Sequence, residues 1–235
     1  MTATTSHKRR RFFLLRHGDV AYFNGKGQPV KAETVTLTEE GRRQAAAAAG
    51  VLQDVEIGRA ISSGLPRTVE TATIVLGPRL SSGLRLETVE PLQEIKGGRL
   101  RDIPFSELQQ TFTHAFAGGL QRESRFLGGE TFGSLWDRVS AAWDGLLEET
   151  FSREQPNTLI VAHGAVNRVI LSRCLNTGLE SFGSIEQDAC CINVIDVEKS
   201  GRSIVRLLNY TPYNHVKDGL TDTTMERLWK SWTRQ

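Results

Sequence analysis

The sequence predicts a three-layer α/β/α sandwich with a mostly parallel central sheet and an antiparallel edge hairpin. Three observations carry that prediction. Two short apolar runs, Phe12-Phe13-Leu14-Leu15 and Thr158-Leu159-Ile160-Val161-Ala162, have the length of buried strands, and each ends in a His-Gly pair. Strand-like runs alternate with helix-like segments along most of the chain, the pattern of a parallel sheet covered on both faces. The 235 residues, 39% of them hydrophobic, suffice for one ample core, so a single domain over 1–235 is expected.

Taken in order, residues 11–15 read as the first buried strand, followed by a loop with Gly25, Gly27 and Pro29. Thr38 is placed to cap a helix that Glu39 and Glu40 favour at its positive end and Ala45 to Ala49 carry forward. Arg59-Ala60-Ile61-Ser62 is a second strand, and Pro66 suits the first turn of the next helix. Leu86 to Val89 is a third strand, leading into a loop that holds Glu94, Gly97 and Gly98. Residues 98–130, which hold Pro104, Gly118-Gly119 and Gly128-Gly129, are expected to form a lid or specificity insertion of short helices. Phe132, Leu135, Trp136, Val139, Trp143, Leu146 and Leu147 keep helical spacing, which makes both tryptophans core residues. The strand before His163 leads into a helix over 166–175. Ile192–Val197 and Ile204–Leu208 are joined by Lys199-Ser200-Gly201 as the edge hairpin. Thr223 to Trp232 is a terminal helix whose Leu228, Trp229 and Trp232 dock on their own domain, with a homodimer contact as the alternative.

Composition excludes several classes of function. The formal charge of +2 comes from 29 basic and 27 acidic residues that are mostly interspersed, so no global field points to nucleic acid or membrane. The run Lys8-Arg9-Arg10-Arg11 reads as the end of a disordered, solvated leader over 1–10. It is not a secretory signal, because only four apolar residues separate it from Arg16, short of the roughly seven that such a core needs. A cytoplasmic protein is expected. Cys174, Cys190 and Cys191 are an odd set without zinc-type spacing, and the cation beside His17 would repel a metal, so neither a disulfide framework nor a metal or other cofactor is expected.

The chemistry lies in residues that the strand ends bring to one rim, where open α/β sheets bind ligands. A histidine flanked by cations differs from one oriented by a carboxylate. It suits an anionic substrate. Arg16 supplies a permanent charge and a fork for two phosphoryl oxygens, while disfavouring protonation of His17 and so keeping its nitrogen nucleophilic. Arg67, at a strand-to-helix junction after Ser62-Ser63-Gly64-Leu65-Pro66, is a second fork. A leaving ester oxygen needs a proton, and Glu94 is the acid best placed to give it, with Asp19 in reserve. Each residue also has a structural reading: a strand-end histidine, an Arg67–Glu70 pair, a solvated Glu94.

In order, Leu14-Leu15-Arg16-His17-Gly18, Leu37-Thr38-Glu39-Glu40-Gly41-Arg42, Ser62-Ser63-Gly64-Leu65-Pro66-Arg67-Thr68, Leu92-Gln93-Glu94-Ile95, Gly128-Gly129-Glu130-Thr131 and Val161-Ala162-His163-Gly164 resemble the histidine phosphatase superfamily, also called the phosphoglycerate mutase-like family. The resemblance implies that His17 is phosphorylated, that Arg16, Arg67 and His163 complete a phosphate rosette, and that Glu94 donates the proton without a metal. Relatives often carry an Asn soon after the Arg-His-Gly triplet; Asn24 stands there with a one-residue shift, as a further candidate phosphate ligand. Relatives often carry Gly-x-Trp-Glu-Gly after the acid, where this chain reads Gly98-Arg99-Leu100-Arg101-Asp102; Arg99 and Arg101 either read a second anionic group or pair with Asp102 and Glu107.

The function this implies is hydrolysis of a small phosphorylated metabolite, with inorganic phosphate as product. A cofactor-dependent phosphoglycerate mutase is the first alternative. The segment from Glu94 to His163 lacks the tyrosine and Arg-Arg pair that grip a glycerate carboxylate in such mutases. A phosphoprotein phosphatase or phosphoprotein-binding module is the second.

Overall fold

In the computed structural model, residues 9–153 and 157–233 are described. The first strand, β1 (Arg10–Arg16), is followed by α1 (Glu39–Leu52), β2 (Arg59–Ser62), α2 (Pro66–Leu76), the short α3 (Pro78–Ser81) and β3 (Leu86–Thr88). Then come α4 (Phe105–Thr113), α5 (Phe132–Ser152), β4 (Asn157–Ala162), α6 (Gly164–Cys174), β5 (Ile192–Val197), β6 (Ser203–Tyr210) and α7 (Thr224–Thr233). The sheet order is β3-β2-β4-β1-β5-β6. The first four strands of that order are parallel; β5 is antiparallel to β1, and β6 to β5.

Alternation along the strands builds the three layers. Phe12, Leu14, Ile61, Ile160 and Ala162 face one way and meet Leu135, Val139 and Trp143 of α5 and Val166, Val169 and Ile170 of α6. Phe13, Leu15, Ala60, Leu159 and Val161 face the other way, onto Ala48 and Leu52 of α1 and Ala72, Val75 and Leu76 of α2. Because strands β1 and β4 are covered on both faces, they read as continuous apolar runs. Each fully buried Leu or Phe contributes about 1.5–3 kcal/mol relative to exposure, so these faces fix the register of the whole sheet. Thr38 caps α1 by accepting from Gly41 N at 3.0 Å. Of the two tryptophans of α5, Trp143 is buried edge-on against Phe12 and Trp136 packs at the margin of the same core.

The expected leader is corrected where it can be seen. Residues 1–8 lie outside the described residues, but Arg10 already belongs to β1 and is buried. Arg9 pairs with Glu198 and Arg11 with Asp196, across the sheet from the β5 side, so these cations close the sheet end instead of trailing in solvent.

A third cluster sits apart from the sheet. Phe23, Leu108 and Phe112 of α4, Leu127 and Met225 of α7 pack together with Tyr22, Leu228, Trp229 and Trp232. The terminal helix thus docks on its own chain, over the segment 98–130 and the loop after β1. Among the described residues no helix is long and apolar enough to cross a membrane.

Candidate active site

The pairing of β1 with β4 sets Arg16 opposite Ala162, so His17 and His163 leave neighbouring parallel strands at the same level. Their rings lie 5.2 Å apart between centroids, at 63° to one another. Gly18 lets the chain turn away beneath α1: a Cβ there would stand 2.5 Å from Gly41 O, and one on Gly41 would collide with Asp19 O. Glycine at both positions is therefore a packing requirement of this rim. Gly18 N donates to Thr71 Oγ1, which itself donates to Arg67 O, tying the turn to the helix that carries the second arginine.

Hydrogen bonds fix the state of each imidazole. His17 Nδ1 lies 2.7 Å from Gly18 O, and a carbonyl only accepts, so Nδ1 carries the proton and Nε2 presents its lone pair. For His163 two hydroxyls decide the tautomer. Thr68 Oγ1 donates to Leu65 O, so it accepts from Ser63 Oγ, which therefore accepts from His163 Nε2 at 2.8 Å. That leaves the lone pair on His163 Nδ1. Both imidazoles are held well below the ordinary histidine range, first by burial and then by the charge of Arg67, with Arg16 adding to it.

Arg67 is buried at the first turn of α2, donates through Nη1 to Ala32 O, and has the Tyr22 ring 5.9 Å from its guanidinium carbon. Glu70, its expected partner, is instead bound to Arg42 and to Leu37 N. Arg16 donates through Nη1 to Gln187 O at 2.7 Å and to Thr224 Oγ1 at 3.3 Å. Of the eleven buried side-chain polar atoms without a hydrogen-bond partner among the described residues, four belong to these residues: Arg16 Nε, Arg67 Nε, His17 Nε2 and His163 Nδ1. Leaving such groups unpaired is costly in a folded interior, about 1–3 kcal/mol apiece, so their gathering at one strand edge points to an anion.

Glu94 borders this cluster. Its Oε1 accepts from Ile95 N at 3.0 Å, and its Oε2 faces Ala165 N at 3.4 Å, on the first turn of α6. The space between is kept open by Gly164, where a Cβ would stand 3.2 Å from Arg168 Nη1, 3.6 Å from Arg16 Nε and 3.8 Å from Glu94 Oε2. Asp19 is exposed and accepts from Thr38 Oγ1 at the start of α1. Asn24 is not among the residues brought together: its exposed side chain closes its own turn on the N–H groups of Lys26 and Gln28. Arg99 pairs with Asp102 at 2.9 Å, both largely exposed.

Two residues escaped the sequence reading. Arg138 of α5 binds both carboxylate oxygens of Glu130 and donates to the carbonyls of Pro91, Gln93 and Glu94, so the loop bearing Glu94 hangs from it. Arg168 is buried in α6, bonded to Glu186 and 4.6 Å from the Phe116 ring centroid. The Gly128-Gly129-Glu130-Thr131 motif was the available signal for the first; nothing local marked the second.

A family model described as the histidine phosphatase superfamily (branch 1) matches residues 12–210. The chain belongs to this superfamily. Among similar members, 2-carboxy-D-arabinitol-1-phosphatase of Triticum aestivum is 26% identical over 227 residues, covering 86% of this chain and 41% of the wheat protein. The probable phosphoglycerate mutase GpmB of Yersinia enterocolitica is 28% identical over 191 residues, covering 80% of this chain and 85% of that protein. The crystal structure of the alpha-ribazole phosphatase from Shigella flexneri superposes with a TM-score of 0.67 at 26% identity, covering 85% of this chain and 96% of that one. The chain spans about half the length or less of several curated relatives, 38% of one from Arabidopsis thaliana and 54% of one from Mycobacterium bovis.

Proposed function

We propose that this histidine phosphatase is a phosphomonoesterase that hydrolyses a small phosphorylated metabolite through a phosphohistidine on His17. The observation that carries the reading is the convergence of four unpaired buried polar atoms, on Arg16, His17, Arg67 and His163, beside Glu94. The phosphatase names of the wheat and Shigella flexneri relatives support it.

The phosphoryl group lies between the Nε atoms of Arg16 and Arg67, whose charges balance its own. His163 Nδ1 accepts a hydrogen bond from a protonated phosphoryl oxygen, or donates once it has taken up the proton itself. His17 Nε2 attacks phosphorus with its lone pair, and the P–O ester bond breaks in line with it. The leaving oxygen takes the proton of Glu94 and departs as an alcohol. Water then attacks the phosphohistidine, gives a proton back to Glu94, and the P–N bond breaks to release inorganic phosphate and free His17. Each step uses residues of this chain.

The test is hydrolysis of p-nitrophenyl phosphate and a panel of metabolite phosphates in EDTA, wild type beside His17→Ala, with quenched enzyme examined for acid-labile phosphate. Turnover that vanishes in the variant, together with label on the wild type, is the expected result. The name of the Yersinia enterocolitica relative favours a mutase as the second reading. Interconversion of phosphoglycerates that requires 2,3-bisphosphoglycerate, without net release of phosphate, would replace the hydrolase reading by that one.

A further inference from the structure

Helix α7 lies beyond residues 12–210, the stretch that the family model matches, yet it reaches the supports of both site arginines. At its first residue, Thr224 Oγ1 donates to Glu186 Oε1 at 2.7 Å and accepts from Arg16 Nη1 at 3.3 Å. One turn on, Arg227 binds Asp188 Oδ1 at 2.7 Å. The segment 186–188 is therefore held between α7 and Arg16, and its Gln187 carbonyl takes the shorter of the two Arg16 bonds. Glu186 also receives Arg168 Nη2, so one hydroxyl and one carboxylate space two guanidinium groups of like charge that flank Gly164.

The other end of the helix reaches the second arginine. The Trp232 ring stacks on Phe23 at 5.2 Å between centroids and 7° between planes, and its Nε1 donates to Gly27 O at 2.9 Å. The loop so clamped touches Arg67 from both sides, through the Tyr22 ring at one end and the Ala32 carbonyl at the other. Phe112 of α4 packs against Trp229 and Trp232, so the helix is anchored from behind.

We propose that α7 is a positioning element of the site, in which Thr224 sets the Arg16 guanidinium and Trp232 sets the loop that orients Arg67. The inference rests on the reading of the pocket as a phosphoryl site, and assigns the terminal helix a share in its affinity. Thr224 is a positioning residue: its hydroxyl must accept from a guanidinium and donate to a carboxylate at once, which serine can do and valine cannot.

The experiment measures inhibition by orthovanadate and binding of inorganic phosphate to the full chain, with thermal midpoints in parallel, for wild type, Thr224→Val, Thr224→Ser, Trp232→Phe and Trp232→Ala. Loss of one hydrogen bond to a charged donor should weaken both anions about three- to tenfold in Thr224→Val. Thr224→Ser should restore binding, while the thermal midpoints of both Thr224 variants stay within a few degrees of wild type. Trp232→Phe, which keeps a ring but loses the Gly27 bond, should fall between wild type and Trp232→Ala in anion affinity. Lower midpoints with unchanged affinity in the folded protein, or Thr224→Ser as weak as Thr224→Val, would overturn the proposal. A wild type that binds neither anion would refute the phosphoryl reading itself, a result separate from wild-type binding with unaffected variants.

Discussion

Replacing Arg138 by methionine keeps the aliphatic stem against α5 and removes the guanidinium from which the Glu94 loop hangs. The side chains of Arg138 and Glu130 are 25% and 12% exposed, so the change strands a mostly buried carboxylate and frees three loop carbonyls. Breaking a fully buried pair costs about 3–5 kcal/mol and each lost hydrogen bond about 1 kcal/mol, but rehydration at this partly open site returns some of both. A net loss of about 2–3 kcal/mol is expected, which for a chain of this size lowers the thermal midpoint by roughly 4–12 °C. Burial acts to raise the Glu130 pKa, yet its bonds to Arg138 and Lys96 N hold it below the ordinary carboxylate range. The pair therefore stabilises fully above that range and loses its effect as pH falls through the lowered value, so the gap between variant and wild type should narrow below about pH 4 to the share of the lost carbonyl bonds, which do not titrate. In the proposed mechanism a loosened loop misplaces the proton of Glu94. Turnover of alkyl phosphates should fall about 10- to 100-fold, and that of p-nitrophenyl phosphate, whose leaving group needs no proton, only a few-fold. Guanidinium unfolding and paired kinetics on the two ester classes give the answer. A destabilised variant with the wild-type ratio of the two rates would show that Arg138 supports the fold alone, and unchanged stability would refute the energetic argument.

Three further outcomes follow from the same geometry. Glu94→Gln should reduce turnover of alkyl esters by about 10²–10³ while sparing p-nitrophenyl phosphate, and equal losses would move the acid role to another residue. Gly164→Ala places a methyl between Arg16, Arg168 and Glu94, and should weaken phosphate inhibition about tenfold with little change in unfolding free energy; unchanged inhibition would mean the anion lies elsewhere. His17 and His163, both held neutral by burial and by the arginines, bind fewer protons folded than unfolded below the ordinary histidine range. Stability in a phosphate-free buffer should thus decline from about pH 6.5 downward, by up to about 1.4 kcal/mol per pH unit for each histidine, and His17→Asn should flatten that slope.

The strands and helices were legible because each carries its own signal: continuous apolar runs for β1 and β4, Thr38 before two glutamates for α1, Pro66 for α2, and heptad-like spacing for α5. The candidate rosette was legible for a related reason, since residues at the ends of parallel strands must share one rim. Partnerships across the fold left no such trace. The reach of Arg138 to the Glu94 loop joins residues on separate elements, and its place on a polar helix face resembles that of any solvated arginine. Trp232 was visible in the apolar stripe of a terminal helix and Thr224 only as a position near its start, whereas their targets, Gly27 and Arg16, lie some two hundred residues earlier in the chain. Arg9 and Arg10 read as a leader, and Arg11 as the bare start of a strand, because partners such as Glu198 and Asp196 belong to a hairpin at the far end of the sequence.

The central place of β1 in the sheet has a consequence for how the chain is made. Both strands that hydrogen-bond to it, β4 and β5, lie between residues 157 and 197. At about 5–20 residues per second, β1 leaves a ribosome roughly 10–30 s before either neighbour and waits with two open edges. The arginines beside it, which later close the end of the sheet, meanwhile set charge next to a segment prone to self-association.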